Sequence, residues 1–232
     1  MAFDNSLSEE QQISRHTCRR FMDWKVTRKY SGKCDMEGAH YYTSRPTRRS
    51  RRRDGFGLMM AEEHGGIGRA SMEWGGFFDA TAKHNTDFSA AALGVSVYAA
   101  YTIIRYRTPE QVARYLGPYP RAEVRFCISI SKSQAGSDVA SVRTRAVRDG
   151  DDYLLTGLKQ WCSGSRAKNA VTAMLAETNP DSKWRDWLSV LLAPNQLPNM
   201  ELGKLNTLAR RDTGTNQIFP DGASGVGNLE LP

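Results

Sequence analysis

Two short polar stretches hold the residue types best suited to chemistry. Lys132-Ser133-Gln134-Ala135-Gly136-Ser137-Asp138 combines hydroxyls, a glycine and backbone N–H groups. Such a loop can cradle an anion or the polar edge of a heterocycle, and it can equally be an ordinary turn. Lys159-Gln160-Trp161-Cys162-Ser163-Gly164 sets an aromatic plane beside small hydroxyl donors. That suits a flat conjugated ligand, although a tryptophan on a sheet face or in a core is the commoner use of the residue. The remaining reactive types are scattered. Cys18, Cys34, Cys127 and Cys162 show no CxxC spacing, and His16, His40, His64 and His84 show no ligand spacing. No metal site and no disulfide framework is expected; reduced thiols and surface or packing histidines are.

The net charge of +7 over 232 residues raises the question of nucleic acid. Six arginines between Arg45 and Arg53 account for all but one of those charges. A polybasic run can bind polyanions, but no interleaved aromatics or known module accompany it, so nucleic acid is the less favoured partner. With 40% apolar and 25% charged residues the chain has enough material for a core and reads as neither disordered nor collagen-like. No apolar run reaches the length of a membrane span, and the polar start Met1–Ser6 has no signal-peptide core. A cytoplasmic protein is expected, or one of the mitochondrial matrix in a eukaryote.

The elements that must position the polar stretches change character along the chain. Ser8 and Gln11 form a capping box ahead of a helix whose stripe is expected to be Ile13, Thr17, Phe21 and Trp24. A second helical pattern runs from about Asp87 to Tyr106, with Phe88, Ala91, Ala92, Val95, Ala99 and Ile103 on one face. Thr108-Pro109-Glu110-Gln111 starts another helix, stopped at Gly117-Pro118. Glu62–Gly68 is a glycine-rich turn before a helical pattern around Met72, Phe77 and Phe78. Beyond Arg121 the period becomes two. Val124, Phe126, Ile128 and Ile130 alternate with Arg125, Cys127, Ser129 and Ser131, the pattern of a half-buried strand. Residues 139–147, 153–156, 159–162, 171–176 and 188–193 continue as short strands between turns. The expectation is α+β: an N-terminal helical domain over 1–120, then an antiparallel β-barrel or sandwich over 121–219.

At this point the residues resemble a known family, the acyl-CoA dehydrogenases. Ile128-Ser129-Ile130-Ser131 followed by Gln134-Ala135-Gly136-Ser137-Asp138-Val139-Ala140-Ser141 is similar to the family's first signature. Gly157–Gly164 resembles its second flavin segment, and Leu7–Gln12, Glu62–Gly68, Thr108–Gln111 and Arg211–Thr215 fall in the family's order. The resemblance covers roughly residues 6–38 and 55–219. It implies FAD as cofactor, an acyl-CoA as substrate, an electron-transfer flavoprotein as electron acceptor and a homo-oligomer as a possible assembly. By matching positions it implies that Ile128, Ile130 and Ser131 line the flavin and that Trp161 packs on its ring. Ser163 would bond near that ring, Cys162 would stand beside it as a strand residue, and Gly136 and Ser137 would border cofactor and thioester, Ser137 also touching substrate.

Departures from the family pattern carry their own expectations. Lys132-Ser133 stands where the family has Glu-Pro, which frees the backbone and reverses a charge beside the flavin. The family's catalytic glutamate lies in a helical domain after the β-domain, so no catalytic residue is assigned within a chain that stops at Pro232. Residues 39–54 and 220–232 look unlike the family, the second where a final strand belongs, and frame shifts in the gene would explain both. The alternatives are a non-catalytic remnant binding flavin or acyl-CoA, and a basic interaction module built on Arg45–Arg53.

Overall fold

The computed structural model describes residues 7–25, 60–68, 71–84, 89, 95–106, 108–120, 123–133, 136–167, 169–182, 187–208 and 213–229. The expectations for 39–54, Phe88, Ala91, Ala92, Arg45–Arg53 and Arg211 fall outside them. Helix α1, Glu9–Lys25, starts where the capping box requires. The Gln11 amide donates to Ser8 Oγ at 3.3 Å and the Ser8 amide to Gln11 Oε1 at 3.0 Å. Of the expected stripe, the side chains of Phe21 and Trp24 lie outside the described residues, and Ile13 and Thr17 do not face the core. Ile13 is 61% exposed and Thr17 is exposed, whereas Met22 is fully buried and Cys18 and Arg19 are partly covered. The neighbouring helix α2, Ser71–Ala82, receives polar ties from α1. Arg19 reaches Asp79 at 3.4 Å, and Asp23 accepts from the His84 ring at 2.6 Å.

Between the two helices, Glu62–His64 makes one 3-10 turn closed by Gly65 in the left-handed region. Helix α3, Val95–Tyr106, buries Ala100 and Ile103. Helix α4, Pro109–Gln111, carries the expected Thr108–Gln111 capping box and continues as a wider turn over Val112–Leu116. Thr108→Ala removes the cap oxygen and is expected to cost about 1 kcal/mol. Urea denaturation checks this, and an unchanged midpoint would show that the wider turn holds the segment alone.

Among the described residues eight strands follow: β1 Arg125–Ser129, β2 Arg145–Asp149, β3 Asp152–Thr156, β4 Lys159–Ser163, β5 Ala170–Glu177, β6 Leu188–Pro194, β7 Met200–Lys204 and β8 Thr215–Leu229. The helices-then-strands architecture expected from the sequence is present. Pairings run β5–β2–β3–β8–β6 and back to β5, so the sheet nearly closes on itself. Most pairs are antiparallel, but β1 lies parallel to β5, Phe126 opposite Val171 and Ile128 opposite Ala173.

Two apolar cores result from the alternation of β5. Val171 and Ala173 meet Phe126, Leu192, Ile103, Leu116 and Met22 under the helices. Met174 and Ala176 meet Leu155, Leu191, Ile218 and Cys162 inside the barrel. Strand β1 is therefore covered on both faces, which corrects the half-buried reading. Arg125, Cys127 and Ser129 are 4%, 0% and 1% exposed, while Ile130 is 39% exposed.

Three other expectations change. Val139–Ser141 is a 3-10 turn and the strand starts only at Arg145. Strand β7 has no counterpart among the expected elements. The segment 220–229, where a final strand was expected to be lost, is strand. It is the second half of β8, pairing Ala223 with Leu155 and Asn228 with Leu191. Its Gly, Ala and Ser residues have little β propensity, and partners on two sides decide the conformation.

Candidate functional site

The two polar stretches meet. The Gln160 amide donates to the Ser131 carbonyl at 3.0 Å, and Ser129 Oγ lies 3.0 Å from Cys162 Sγ. Ser131 thus faces Gln160 and Ser129 faces Cys162, an antiparallel join that sets Ile130 opposite Trp161. Ser129 and Cys162 point into the barrel, and Ile130 and Trp161 stand outward. They form an apolar shelf.

The shelf is shaped by a backbone irregularity. The β4–β8 ladder shifts register between Lys159 and Cys162, and Trp161 there has φ +63°. A bulge re-aims a side chain, and a left-handed non-glycine residue costs about 1–2 kcal/mol. The result is a tryptophan 57% exposed on the outer face. Residues held in this way cluster at ligand clamps.

Hydroxyls border the shelf. Ser131 is half-buried, and among the described residues nothing hydrogen-bonds its Oγ. Ser163, also half-buried, sits 3.1 Å from Thr215 Oγ1 across the ladder. A buried network fixes this end of β4 from behind. Ser165 Oγ donates to the Cys162 carbonyl at 3.1 Å, Asn216 Nδ2 to Ser165 Oγ at 3.0 Å and Asn195 Nδ2 to the Ser165 carbonyl at 2.6 Å. Thr172 Oγ1 completes it by donating to Asn195 Oδ1 at 2.6 Å. Asn195 and Asn216 carry no sequence signal of their own, because only the fold brings them to residue 165.

Of the expected site residues, Ile130, Ser131, Trp161 and Ser163 gather at the shelf, with Ile128 two residues back along β1. Gly136 and Ser137 are exposed in the following loop, with no bond to the shelf among the described residues. The Cys162 thiol faces the barrel interior, away from the outer face. Burial pushes it up to about 12 and pushes the Cys127 thiol up as well. Iodoacetamide at pH 8 is therefore expected to leave both unmodified until urea unfolds the chain, as mass spectrometry of the digest would show. Native-state labelling at the rate of a free thiol would mean that the barrel interior opens.

An exposed apolar shelf edged by an unengaged hydroxyl fits a planar ring with a polar rim, which is the form of a flavin. Among the described residues no three His, Cys, Asp or Glu side chains cluster as metal ligands, and no helix is long and apolar enough to cross a membrane.

The acyl-CoA dehydrogenase N-terminal domain matches residues 8–123 and the acyl-CoA dehydrogenase middle domain residues 127–222. Acyl-CoA dehydrogenase FadE26 of Mycobacterium tuberculosis is 34% identical over 165 residues, covering 69% of this chain and 40% of that protein. Glutaryl-CoA dehydrogenase of Desulfococcus multivorans is 26% identical over 234 residues, covering 99% and 57%. The chain spans about half the length of the curated relatives it matches. In fold it is similar to a glutaryl-CoA dehydrogenase from Mycobacterium smegmatis in complex with FADH2, with TM-score 0.83, 20% identity and coverage of 99% of this chain and 58% of that one.

Proposed function

Because this chain belongs to the acyl-CoA dehydrogenase family, we propose that its shelf seats the tricyclic ring of FAD and that it serves α,β-dehydrogenation of an acyl-CoA thioester. The observation that carries the reading is the antiparallel join, with Ile130 set opposite an outward Trp161 and Ser131 and Ser163 at the margins. FAD, when bound, supplies the acceptor for the hydride leaving the β-carbon of the substrate. The chain supplies place and surroundings. Ile130 and Trp161 cover one face of the ring and keep water from it, with Ile128 behind them. The Ser131 hydroxyl donates to the ring's pyrimidine edge, and Ser163 donates nearby. Cys162 contributes only strand backbone. Gly136 and Ser137, exposed in their loop, border cofactor and thioester.

No residue of this chain is assigned to removing the α-proton. An electron-transfer flavoprotein is the natural electron acceptor.

A visible absorption spectrum of the purified chain, with and without added FAD, tests the reading. The expected result is a flavin spectrum that survives gel filtration and bleaches when an acyl-CoA is added without oxygen. Retained colour with no bleaching would reduce the chain to a flavin-binding protein. A colourless chain in excess FAD would overturn the reading, and salt-sensitive DNA retention by that chain would favour the arginine run.

A further inference from the structure

Behind the shelf sits a cation. Lys159 on β4 is 0% exposed, and its Nζ donates to the Ile130 carbonyl at 3.1 Å. An ammonium has three donors, and this is the one hydrogen bond Nζ makes among the described residues. Across the ladder, β8 offers Ile218 and Asn216, which carry no charge. A buried ion with so little compensation is expensive, and a barrel interior would ordinarily place an apolar side chain there. Costs of this kind concentrate where a fold serves a ligand.

We propose that Lys159 is the positioning residue of the shelf: from inside the barrel its ammonium fixes the Ile130 carbonyl, and with it the Ile130–Ser131 corner against Trp161. The corner is a property of the chain; only its use in holding a ring edge rests on the flavin reading above. A hydrogen bond from a charged donor is roughly twice as strong as a neutral one, so the corner loosens when the ammonium loses its proton.

Burial brings that proton's pKa down from the ordinary 10.5 to about 8, and the like charge of Lys132 adds to the shift. Cys162 stays protonated through this range. Between about 8 and 10.5 the unfolded chain holds the proton that the folded chain has lost, so stability rises with pH across this window even as the corner slackens.

Nitrogen-15 NMR of the whole chain tests the proposal through two reporters, the Gln160 amide and the Trp161 indole, the latter assigned with W161F. In K159M at pH 7 the Gln160 amide is expected to exchange at least about tenfold faster, with β5 and β6 amides unaffected, and K159R to restore most of the protection. In the parent the Trp161 indole signal moves with a midpoint near pH 8. That movement is lost in K159M, and in K132S its midpoint rises because a like charge is gone. FAD affinity, read by fluorescence quenching, falls at least about tenfold in K159M and recovers in K159R.

Unchanged Gln160 exchange in K159M, or an indole titration that is missing from the parent or survives in K159M, would overturn the proposal. If K159M does not fold, the parent titration and its displacement in K132S decide. A parent chain that binds no FAD sinks the flavin reading, while the exchange and titration still decide the role of Lys159.

Discussion

Replacing Trp161 by glycine leaves stability within about 1 kcal/mol of the parent while weakening FAD binding by roughly 10- to 100-fold. The two halves of this result have separate origins. At φ +63° the tryptophan occupies a backbone region that costs a side-chain-bearing residue about 1–2 kcal/mol, and glycine is free of that cost. Against it stand the greater chain entropy that glycine loses, about 0.5–1 kcal/mol, and the contacts of a ring already 57% exposed. These nearly cancel. What the substitution removes is the ring surface, and stacking of a flat heterocycle on an aromatic is worth about 1–3 kcal/mol. Guanidinium denaturation and a flavin fluorescence titration measure the two halves. A variant destabilised by several kcal/mol that binds FAD as before would make Trp161 a packing residue.

Gly66→Ala is expected to be the most damaging single methyl in the helical part, costing about 3 kcal/mol or more. The Gly66 and Gly68 amides donate to the Ala61 and Met60 carbonyls at 3.2 and 2.7 Å, winding the turn so tightly that Gly66 rests on Met60. A Cβ at residue 66 would meet the Met60 carbonyl oxygen and Cβ well inside contact distance, with the carbonyl carbon 2.6 Å away. Met60 is 3% exposed within the core under the helices, so neither side can give way. Gly68→Ala is the matched comparison. Its Cβ finds nothing nearer than Glu62 Cγ at 3.8 Å, leaving only the left-handed cost of about 1–2 kcal/mol at φ +67°. Thermal denaturation of both variants should rank Gly66→Ala far below Gly68→Ala. Equal midpoints would mean that the turn rearranges freely.

What could be read from the sequence followed the range of the interactions involved. The Ser8–Gln11 and Thr108–Gln111 caps are contacts three residues apart, and they form as written in the chain. Residues 153–156, 159–162, 171–176 and 188–193 read correctly as strands because β-branched and apolar residues recur between clear turns. The failures came from long-range partners. Ile13 looked buried because it is apolar, but it is 61% exposed, while Arg19 and Asp23 of the same helix reach Asp79 of α2 and His84 beyond its end. Arg125, Cys127 and Ser129 looked solvent-facing because they are polar, yet both sides of β1 are occupied. The second half of β8 looked unlike the family's final strand, and its conformation is imposed by β3 and β6. At the site, the tryptophan and serines were legible by type, whereas the bulge that turns Trp161 outward and the buried Lys159 behind Ile130 exist only once β1 and β4 are joined.

Strand β8 pairs with β3, β4, β6 and β7, and it is made after all of them. While the ribosome is still threading out β8, the earlier strands wait with bare rims of amide and carbonyl groups, the kind of template on which neighbouring chains stick. Assembly of this domain is thus postponed until its final stretch has emerged, and a nascent polypeptide halted before Thr215 should need a holdase to stay dispersed.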